Sequence, residues 1–435
     1  LAKGTYLLKG WVYVGAGSTL TIEPGTVIKG DKDTQAALII EPGGKLIAEG
    51  KQDAPIVFTS EMPKGQRKPG DWGGLIICGK AKNNQGVLNQ QIEGGPRTKH
   101  GGDDDSDNSG IIRYVRVEFA GYPFMKDKEI NGITFGSVGS GTTIDHLQVS
   151  YSNDDSYEWF GGSVNCKYLV AYNGWDDEFD TDNGFSGKVQ YGLSIRDPRI
   201  ADTSQSNGFE SDNCADGSLV SPYTTAVFSN ITFIGPLGRD AGFTNDESYI
   251  NAGSFNPNNG SALGKFQSAM QIRRSSRLNC FNSVAVGYPV GLIIDGEKGN
   301  TVEQAQEGII NLQNIWFAGM TVTGSDANKV YDDVLYDAVN KTIIDAGQES
   351  YSSNFFKAQK GNKVLADMNE LNFKDGRGIG VNYMPNANSP VLTAASFDNA
   401  LLDNGFDKVD YIGAFGINDN WLDGWTNFDP NNTDY

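Results

Sequence analysis

Short segments with the same pattern recur along this chain. Residues 14–22 (VGAGSTLTI), 22–30 (IEPGTVIKG) and 40–50 (IEPGGKLIAEG) each carry an apolar residue, a glycine-containing turn and then alternating apolar residues. A Pro-Gly pair fits a tight turn, because proline sets the first φ and glycine takes the positive one. The alternation is typical of a strand with one buried face. The N-terminal segments therefore predict short strands joined by tight turns.

The repeating units become longer in the middle of the chain. Residues 157–159 (YEW), 179–182 (FDTD) and 209–212 (FESD) can be superimposed, and this alignment places Phe179 and Phe209 at the same inward position. A period of roughly 20–25 residues with almost no helical periodicity predicts a β-solenoid. Leucine-rich repeats need a Leu and Asn skeleton that is absent here, and a β-sandwich would lack this vertical similarity. We therefore predict an all-β chain folded as a right-handed parallel β-helix.

The repeats suggest a single β-helix domain over residues 1–435. Residues 1–60 would form the N-terminal coils and a cap, 61–330 the main coils, and 331–435 the C-terminal coils, helices and cap. Both ends of the solenoid would be capped, because an open end exposes unpaired strand edges.

Helix signals occur only near the C-terminus. Val330, Val334, Leu335 and Val339 are spaced helically, and residues 396–406 offer a serine N-cap and a glycine C-cap. These patterns predict a few small helices.

Charge limits the partners of this chain. It has 54 Asp and Glu against 35 Lys and Arg, a formal net charge of −19. Such a surface repels phosphate backbones and anionic lipids, so we expect no nucleic-acid partner. No apolar run reaches the roughly 20 residues of a transmembrane helix. Divalent cations and neutral or amino sugars fit the charge better.

The four cysteines are far apart and lack C-x-x-C spacing, which argues against zinc ribbons and redox motifs. A chain of this length can build its core without disulfides, so buried free thiols are expected in preference to two disulfides. They are Cys78, Cys166, Cys214 and Cys280.

Several motifs resemble those of a known family. LTIEPGTVIKG, DWGGLIICG, IRYVRVEFAG, NGITFGSVGSGTTIDHLQVSYSNDDSYEWFGG and NGFESDN are similar to segments of secreted or surface-anchored right-handed parallel β-helix proteins common in Bacteroidetes. The resemblance covers most of the chain. It implies a pectin-lyase-like fold and an extracytoplasmic location, secreted or anchored at the bacterial outer surface. It supplies no reaction, because that family has no settled activity.

Acidic residues recur at outward positions of the aligned units. Because alternate strand residues face opposite sides, Glu158, Asp180 and Glu210 should form one outer column, with Asp182 and Asp212 in a second. At a coil spacing of ~4.8 Å, two unit charges repel by roughly 3–4 kcal/mol at an effective dielectric of ~20. Something must therefore compensate these columns.

Two interpretations of the columns remain open. Basic residues such as Lys167, Lys188 or Arg196 would satisfy the acids on a solvated face. Alternatively, the columns and the flanking Trp175 would form a site for calcium or a saccharide, since carboxylates ligate calcium and indole faces stack on sugar rings. Trp175 would then be a ligand-binding residue beside the acids.

Two catalytic arrangements are possible. Residues 195–202 (IRDPRIAD) resemble the catalytic arginine motif of pectate lyases through Arg196, although the second arginine of that motif is absent. Asp180 and Asp182 could instead supply the acid pair of a glycoside hydrolase. The histidine expected in such hydrolases is missing, and His146 on a predicted strand is expected to be structural.

A separate acidic loop also has metal-ligand spacing. Asp103, Asp105 and Asp107 alternate as oxygen ligands do at the start of a calcium loop. The glycine and glutamate of an EF-hand are missing, and a solvated acidic loop is the competing interpretation. Calcium is the candidate cofactor at either place.

Two functions of different classes follow. The first is a non-enzymatic secreted or cell-surface protein that binds a polysaccharide or another surface component. The alternative is a polysaccharide lyase or hydrolase that acts on an acidic polysaccharide. The first is favoured, because the acid columns lack an evident base and a fold alone confers no activity.

Overall fold

The computed structural model describes residues 1–125, 128–253, 256–326, 335–337, 342–344, 349–375 and 380–435. Two long sheets, of thirteen and ten strands, run through them. Neighbouring strands in each sheet come from successive turns of the chain, and every recorded pair is parallel, as between Phe179–Asp182 and Phe209–Ser211. The predicted parallel β-helix is confirmed.

Sheet 1 contains most of the longer strands of the coils. Its strands are Thr5–Leu8, Thr19–Ile22, Val27–Gly30, Lys45–Glu49, Ile56–Ser60, Gly110–Glu118, Thr143–Ser150, Cys166–Tyr172, Lys188–Ile195, Val227–Ile234, Asn279–Val286, Leu312–Ala318 and Lys363–Leu365. Sheet 2 contains Trp11–Val14, Ala37–Ile40, Gly74–Cys78, Ile133–Gly136, Tyr157–Phe160, Phe179–Asp182, Phe209–Ser211, Ser268–Ile272, Val290–Ile294 and Val322–Gly324.

The remaining described elements are short. Three antiparallel pairs join Gln90–Gln91 with Lys99–His100, Pro123–Met125 with Lys128–Glu129, and Leu335–Asp337 with Thr342–Ile344. The α-helices are Pro236–Arg239, Glu247–Asn251, Thr301–Gln306 and Tyr351–Ala358. The 3₁₀ helices are Met368–Leu371, Pro390–Thr393, Ala400–Leu402 and Pro430–Asn432. Within the described residues, none of the helices is long and apolar enough to cross a membrane.

The interior is built from residues that repeat at one position of the coil. In sheet 2, Tyr157, Phe179 and Phe209 are paired in register and fully buried. The Phe179 ring centroid lies 5.7 Å from that of Tyr157 and 5.9 Å from that of Phe209. The prediction that both phenylalanines lie inside is confirmed. All four cysteines are buried and free, as expected.

Each long strand of sheet 1 carries one residue with a left-handed backbone near its middle. Asparagine tolerates this conformation better than most residues, and the bulkier residues adopt it only where neighbours hold them. The residues are Tyr114, His146, Tyr168, Tyr191, Asn230, Asn282 and Asn314. His146 stacks between the rings of Tyr114 and Tyr168, at centroid distances of 4.3 and 4.4 Å, which supports its expected structural role.

Residues 380–435 lie along the outer face of sheet 1, and we call them the strap. The Gln148 side-chain amide donates to the Asn427 carbonyl and accepts from its N–H, and Gln190 makes the same two bonds with Asp407. Near the first coils, Lys29 donates to the carbonyl oxygen of Tyr435. Side chains of widely separated coils therefore hold the strap in place.

The C-terminal helix predictions are only partly correct. Leu335 lies in an antiparallel strand, so the predicted helix is wrong at that residue, whereas Val330, Val334 and Val339 lie outside the described residues. Within residues 396–406, only Ala400–Leu402 is helical, and Asn399 caps it in place of the predicted Ser396, because the Asn399 side chain accepts from the Leu401 N–H. The boundaries drawn between cap and coils stay a prediction.

We expect Phe179→Ala to destabilise the protein by about 3–5 kcal/mol, because it leaves a cavity between Tyr157 and Phe209. Urea unfolding followed by circular dichroism measures the loss. Phe179→Leu retains more of the buried volume and should lose less. A cost below about 1 kcal/mol for Phe179→Ala would contradict the packing described above.

We expect Gln190→Ala to loosen the strap. The substitution leaves the Asp407 N–H and carbonyl without their partner, at a cost of about 1–3 kcal/mol. Limited proteolysis should cut within residues 380–435 faster in this variant than in the wild type. Gln52→Ala is the control, since it removes a single exposed bond to Asp423. Equal cleavage rates for both variants would argue against the proposed role of Gln190.

Candidate functional site

The outward side of sheet 2 carries one continuous column of residues in register. From the first coil onward, the side chains of this column are at first uncharged, then acidic in three successive coils, and then uncharged again. The column is Tyr13, Ile39, Ile76, Thr134, Glu158, Asp180, Glu210, Gln271 and Ile293. The register therefore places Glu158 beside Asp180 and Asp180 beside Glu210, as the alignment of the repeats predicts.

Loops surround the acidic part of this column and form a cleft of about 950 Å³, which we call the acid cleft. Its lining is dominated by carboxylates, amides and hydroxyl groups. The lining residues are Glu93, Pro123, Glu129, Asn153, Asp154, Asp155, Glu158, Asp176, Asp177, Asp180, Asp202, Thr203, Ser204, Glu210, Asn259, Gly260, Ser261, Ala262, Arg273 and Arg274.

One wall of the acid cleft is a long insertion between two coils. Asn153 donates its side-chain amide to Ser261 Oγ at 2.6 Å. Asn259 donates to Asn153 Oδ1 at 3.3 Å. These bonds fasten residues 259–262 to an earlier coil, so the acids are enclosed on that side. The acids therefore line a cleft with a wall on this side and do not lie on a flat face.

Three of the carboxylates in the cleft are buried. Glu158 and Asp155 are each 7% exposed and Asp177 is 4% exposed. Burial raises the pKa of Asp177 to about 6 and that of Glu210 to about 8. For Asp180, burial and then the neighbouring Glu210 carboxylate hold the pKa well above its usual range. Charge repulsion and desolvation together therefore favour protonation or a bound cation at this site.

The second acidic column lies beside the first. Asp212 follows directly after strand Phe209–Ser211, and its N–H donates to the Thr181 carbonyl. Burial, followed by the Asp212 carboxylate, raises the pKa of Asp182 to about 7. Asp182 and Asp212 are therefore electrostatic neighbours, and their binding or catalytic role stays a prediction.

Two arginines supply the positive charge of the cleft. Arg273 Nε lies 2.8 Å from Asp212 Oδ1, and Arg273 Nη2 also contacts Glu210. Arg274 Nη1 lies 2.7 Å from Asp212 Oδ2. Sequence reasoning missed both, although they directly follow the strand Ser268–Ile272 that pairs with Phe209–Ser211. The run QIRRSS contains both arginines directly after a strand. The long insertion between the two strands obscures the repeat that would have aligned this run with residues 209–212.

The basic residues expected to compensate the columns lie elsewhere. Lys167 pairs with Asp407 of the strap, and Lys188 donates to the Asn404 carbonyl there. Arg196 is fully buried and pairs with the buried Glu178 at 2.5 Å. Arg196 therefore neutralises Glu178 inside the protein and is not accessible to a polymer, so the expectation that it is catalytic is wrong.

Trp175 is also fully buried. Its indole face is closed to a saccharide, so the expectation that it stacks on a ligand is wrong. Trp175 lies in the connection between strands Cys166–Tyr172 and Phe179–Asp182, where strand alternation gives no guide to side-chain direction.

Three overlapping groups of carboxylates have the geometry of cation sites. Within each group, ligand oxygens lie within 4.8 Å of one another. The groups are Asp154, Asp155 and Asp176; Asp155, Glu158 and Asp180; and Asp177, Asp180 and Glu210. Asp176 Oδ1 and Asp180 Oδ1 are buried and accept no hydrogen bond. Hard divalent cations prefer such oxygen ligands, so these residues fit a metal ion.

The acidic loop at residues 103–107 differs from that arrangement. Asp105 Oδ2 pairs with Lys82 Nζ at 2.8 Å, and Asp105 Oδ1 accepts from the Lys82 N–H. Asp107 contacts Ser109 Oγ at 3.4 Å. Among the described residues, no carboxylate group with metal-site spacing includes Asp103, Asp105 or Asp107. The structure therefore does not support calcium binding there.

Several acids of the cleft were not among the predicted site residues. Asp154, Asp155, Asp176 and Asp177 form two Asp-Asp pairs that recur one coil apart, which is a signal the sequence does contain. Three further lining residues carry no such repeat signal: Glu93, Asp202 and Glu129, the last of which lies in the short strand Lys128–Glu129.

The raised pKa values predict that the protein loses stability as the pH rises. Unfolded carboxyls titrate near about pH 4, so between pH 5 and 8 the folded protein binds more protons than the unfolded chain. The free energy of unfolding should therefore fall across this range. Glu210→Gln, which cannot ionise, should show a shallower fall by about 1 kcal/mol or more.

Urea titrations at pH 5, 6, 7 and 8 measure this slope. Glu307→Gln, an exposed carboxyl outside the cleft, is the matched control and should retain the wild-type slope. If wild type and Glu210→Gln have parallel profiles, Glu210 is ionised throughout and the electrostatic account of the cleft is wrong.

A match to a family of known proteins agrees with the coil architecture. Residues 1–361 match the family described as the pectate-lyase like beta helix domain. Among solved structures, a crystal structure of pectate lyase Pel9A is similar with 12% identity and a TM-score of 0.32, over 93% of this chain and 87% of that chain. No curated protein matches the chain. The chain belongs to the pectate-lyase-like β-helix family.

Proposed function

We propose that this chain is an extracytoplasmic, non-enzymatic glycan-binding protein, secreted or anchored at the cell surface, and that the acid cleft is its binding site. The observation that carries the proposal is the enclosed cleft of about 950 Å³ lined by hydrogen-bonding side chains from several coils. Carboxylates accept hydrogen bonds from sugar hydroxyls, while the second N–H of the Asn153 side-chain amide can donate one. A cleft of this volume is large enough for several such contacts.

The charge of the acid cleft determines which class of glycan it would bind. Ten carboxyl groups line the cleft against two arginines. Both arginines already contact Glu210 or Asp212. The carboxyl groups that stay ionised would repel a polyanion, whereas they would not repel a neutral glycan or one with free amino groups. Neutral and amino-sugar glycans are therefore the proposed ligand class.

The cleft lacks an evident base for a lyase. Arg196 is buried. Burial lowers the pKa of Arg273, but the Glu210 and Asp212 carboxylates raise this pKa by a larger amount, so Arg273 stays protonated. Among the described residues that line the cleft there is no lysine or histidine. These features support binding without proton abstraction.

Calcium is the proposed cofactor of the cleft. Asp155 and Asp180 each belong to two of the three carboxylate groups, so they would bridge neighbouring cation positions. A bound cation would neutralise the repulsion within the column and offer a coordination position to sugar hydroxyls. The buried Asp180 Oδ1, which accepts no hydrogen bond, is the atom that supports this role most directly.

A second candidate, hydrolysis of a polysaccharide, is favoured by one observation. With a pKa near 8, Glu210 is protonated at neutral pH and could act as a general acid. Asp212, held by two arginines, would be the neighbouring carboxylate. The acid pair would thus be Glu210 and Asp212, with Asp180 and Asp182 as the alternative pair.

Glycan binding is tested by calorimetry with glucosamine oligomers and with neutral glucose oligomers. We expect wild type to bind one of these classes and Asp180→Asn to weaken that binding at least ten-fold, because Asp180 lies at the centre of the column. Asp103→Asn, an exposed acid outside the cleft, should bind as wild type. Absence of binding by wild type would overturn the proposal.

The same preparations distinguish binding from catalysis. Reducing ends report hydrolysis, and ultraviolet absorbance of unsaturated products reports lyase activity on a uronate polymer. We expect neither signal from wild type. A signal that Glu210→Gln abolishes would establish the enzymatic alternative.

Calcium binding gives a further expected outcome. Calcium at millimolar concentration should raise the Tm of wild type at pH 8 by several degrees, since ligands that bind only the folded state stabilise it. The effect should be absent in Asp180→Asn and unchanged in Asp103→Asn. An equal rise in all three proteins would show that the cleft is not the calcium site.

A further inference from the structure

Three aromatic side chains lie on the outer side of sheet 2 at the first coils. Trp11 and Tyr13 are half-buried residues of the strand Trp11–Val14, and Phe124 is 39% exposed. The ring centroids of Trp11 and Phe124 are 5.4 Å apart, at an angle of 52°. We call Trp11, Tyr13 and Phe124 the aromatic patch.

The aromatic patch borders the acid cleft through two segments. Pro123 lines the cleft, and the next residue, Phe124, packs on Trp11. Glu93 also lines the cleft, and Gly95, two residues later, lies against the Phe124 ring. The patch and the cleft therefore share a boundary on the same side of the molecule.

The backbone at Gly95 is adapted to hold Phe124 in its exposed position. Its φ is +96°, and a Cβ at this position would lie 2.6 Å from the Phe124 ring. Only glycine allows this approach without displacing the ring. Phe124 thus contacts both Gly95 and Trp11 and is still 39% exposed.

Tyr13 is less available than its neighbours. The Arg97 guanidinium lies over the Tyr13 ring, 4.2 Å from the centroid, and Arg97 also pairs with Glu41 at 3.2 Å. Trp11 and Phe124 therefore supply the accessible aromatic surface of the patch.

We propose that Trp11 and Phe124 form a second subsite that stacks the sugar rings of the glycan whose other end occupies the acid cleft. This inference rests on the proposed function and deepens it. The cleft itself offers carboxylates and amides, and the aromatic rings add the apolar surface that the flat faces of sugar rings prefer.

The spacing of the two sites favours long glycan chains over short oligosaccharides. Tyr13, which lies in the same strand as Trp11, and Glu158 occupy the same register position four coils apart, which corresponds to ~19 Å at a coil spacing of ~4.8 Å. Phe124 borders the cleft more directly, because the preceding residue, Pro123, lines it. A short oligosaccharide would occupy one of the two sites, while a longer chain would occupy both. Affinity should therefore increase with chain length by more than the additional number of equivalent binding positions on a longer chain would explain.

The test compares glucosamine disaccharide with glucosamine octamer by calorimetry. Wild type should bind the octamer more tightly. Phe124→Ala and Trp11→Ala should each weaken octamer binding roughly five- to ten-fold and leave disaccharide binding in the cleft unchanged. Phe124→Tyr, which retains an aromatic ring, should restore the octamer affinity. Circular dichroism confirms that each variant is folded.

Leu401→Ala is the matched control, because Leu401 is 37% exposed and lies in the strap. It should bind both ligands as wild type does. If octamer binding survives in Phe124→Ala and Trp11→Ala but is lost in Asp180→Asn, the second subsite is refuted while the acid cleft stands. If wild type binds neither these glucosamine oligomers nor the glucose oligomers used to test the proposed function, the subsite and the proposed function fail together.

Discussion

Parallel hydrogen bonding between coils holds each residue of sheet 2 over its counterpart in the next coil, as Asp180 lies over Glu210. The same constraint acts on both sides of the strand. Inside, it packs Phe179 against Phe209 and stabilises the coil by apolar burial. Outside, it brings like charges within one coil spacing, where they repel. The interior packing thus fixes the geometry that makes the acid cleft electrostatically strained.

The fold and the acidic column could be predicted because both depend on local pattern. The units around Phe179 and Phe209 alternate strictly, and alternation alone assigns inward and outward positions. Stacking similar units then gives the neighbours of Asp180 without knowledge of any loop. The Asp-Asp pairs at residues 154 and 176 recur in the same way, so they too were visible in the sequence.

The remainder of the site depends on long-range contacts. Arg273 reaches Glu210 only because a strand beginning at Ser268 follows a long insertion, and no local pattern measures that insertion. Arg196 follows a strand and resembles a catalytic arginine in sequence, but its partner Glu178 lies inside the protein. A pattern read along the chain cannot distinguish a buried ion pair from a catalytic arginine, since both require a charged residue near acids.

The strap changes how the solenoid can unfold. In a repeat protein whose coils contact only their neighbours, end coils can separate one at a time, and cooperativity is limited. Here Gln148 and Gln190 belong to different coils and bind a single continuous segment that reaches Lys29 of the second coil. Separation of one coil from the stack therefore also breaks bonds to that segment. The strap should convert a chain of loosely coupled repeats into one cooperative unit, and it can bind only after the coils have formed.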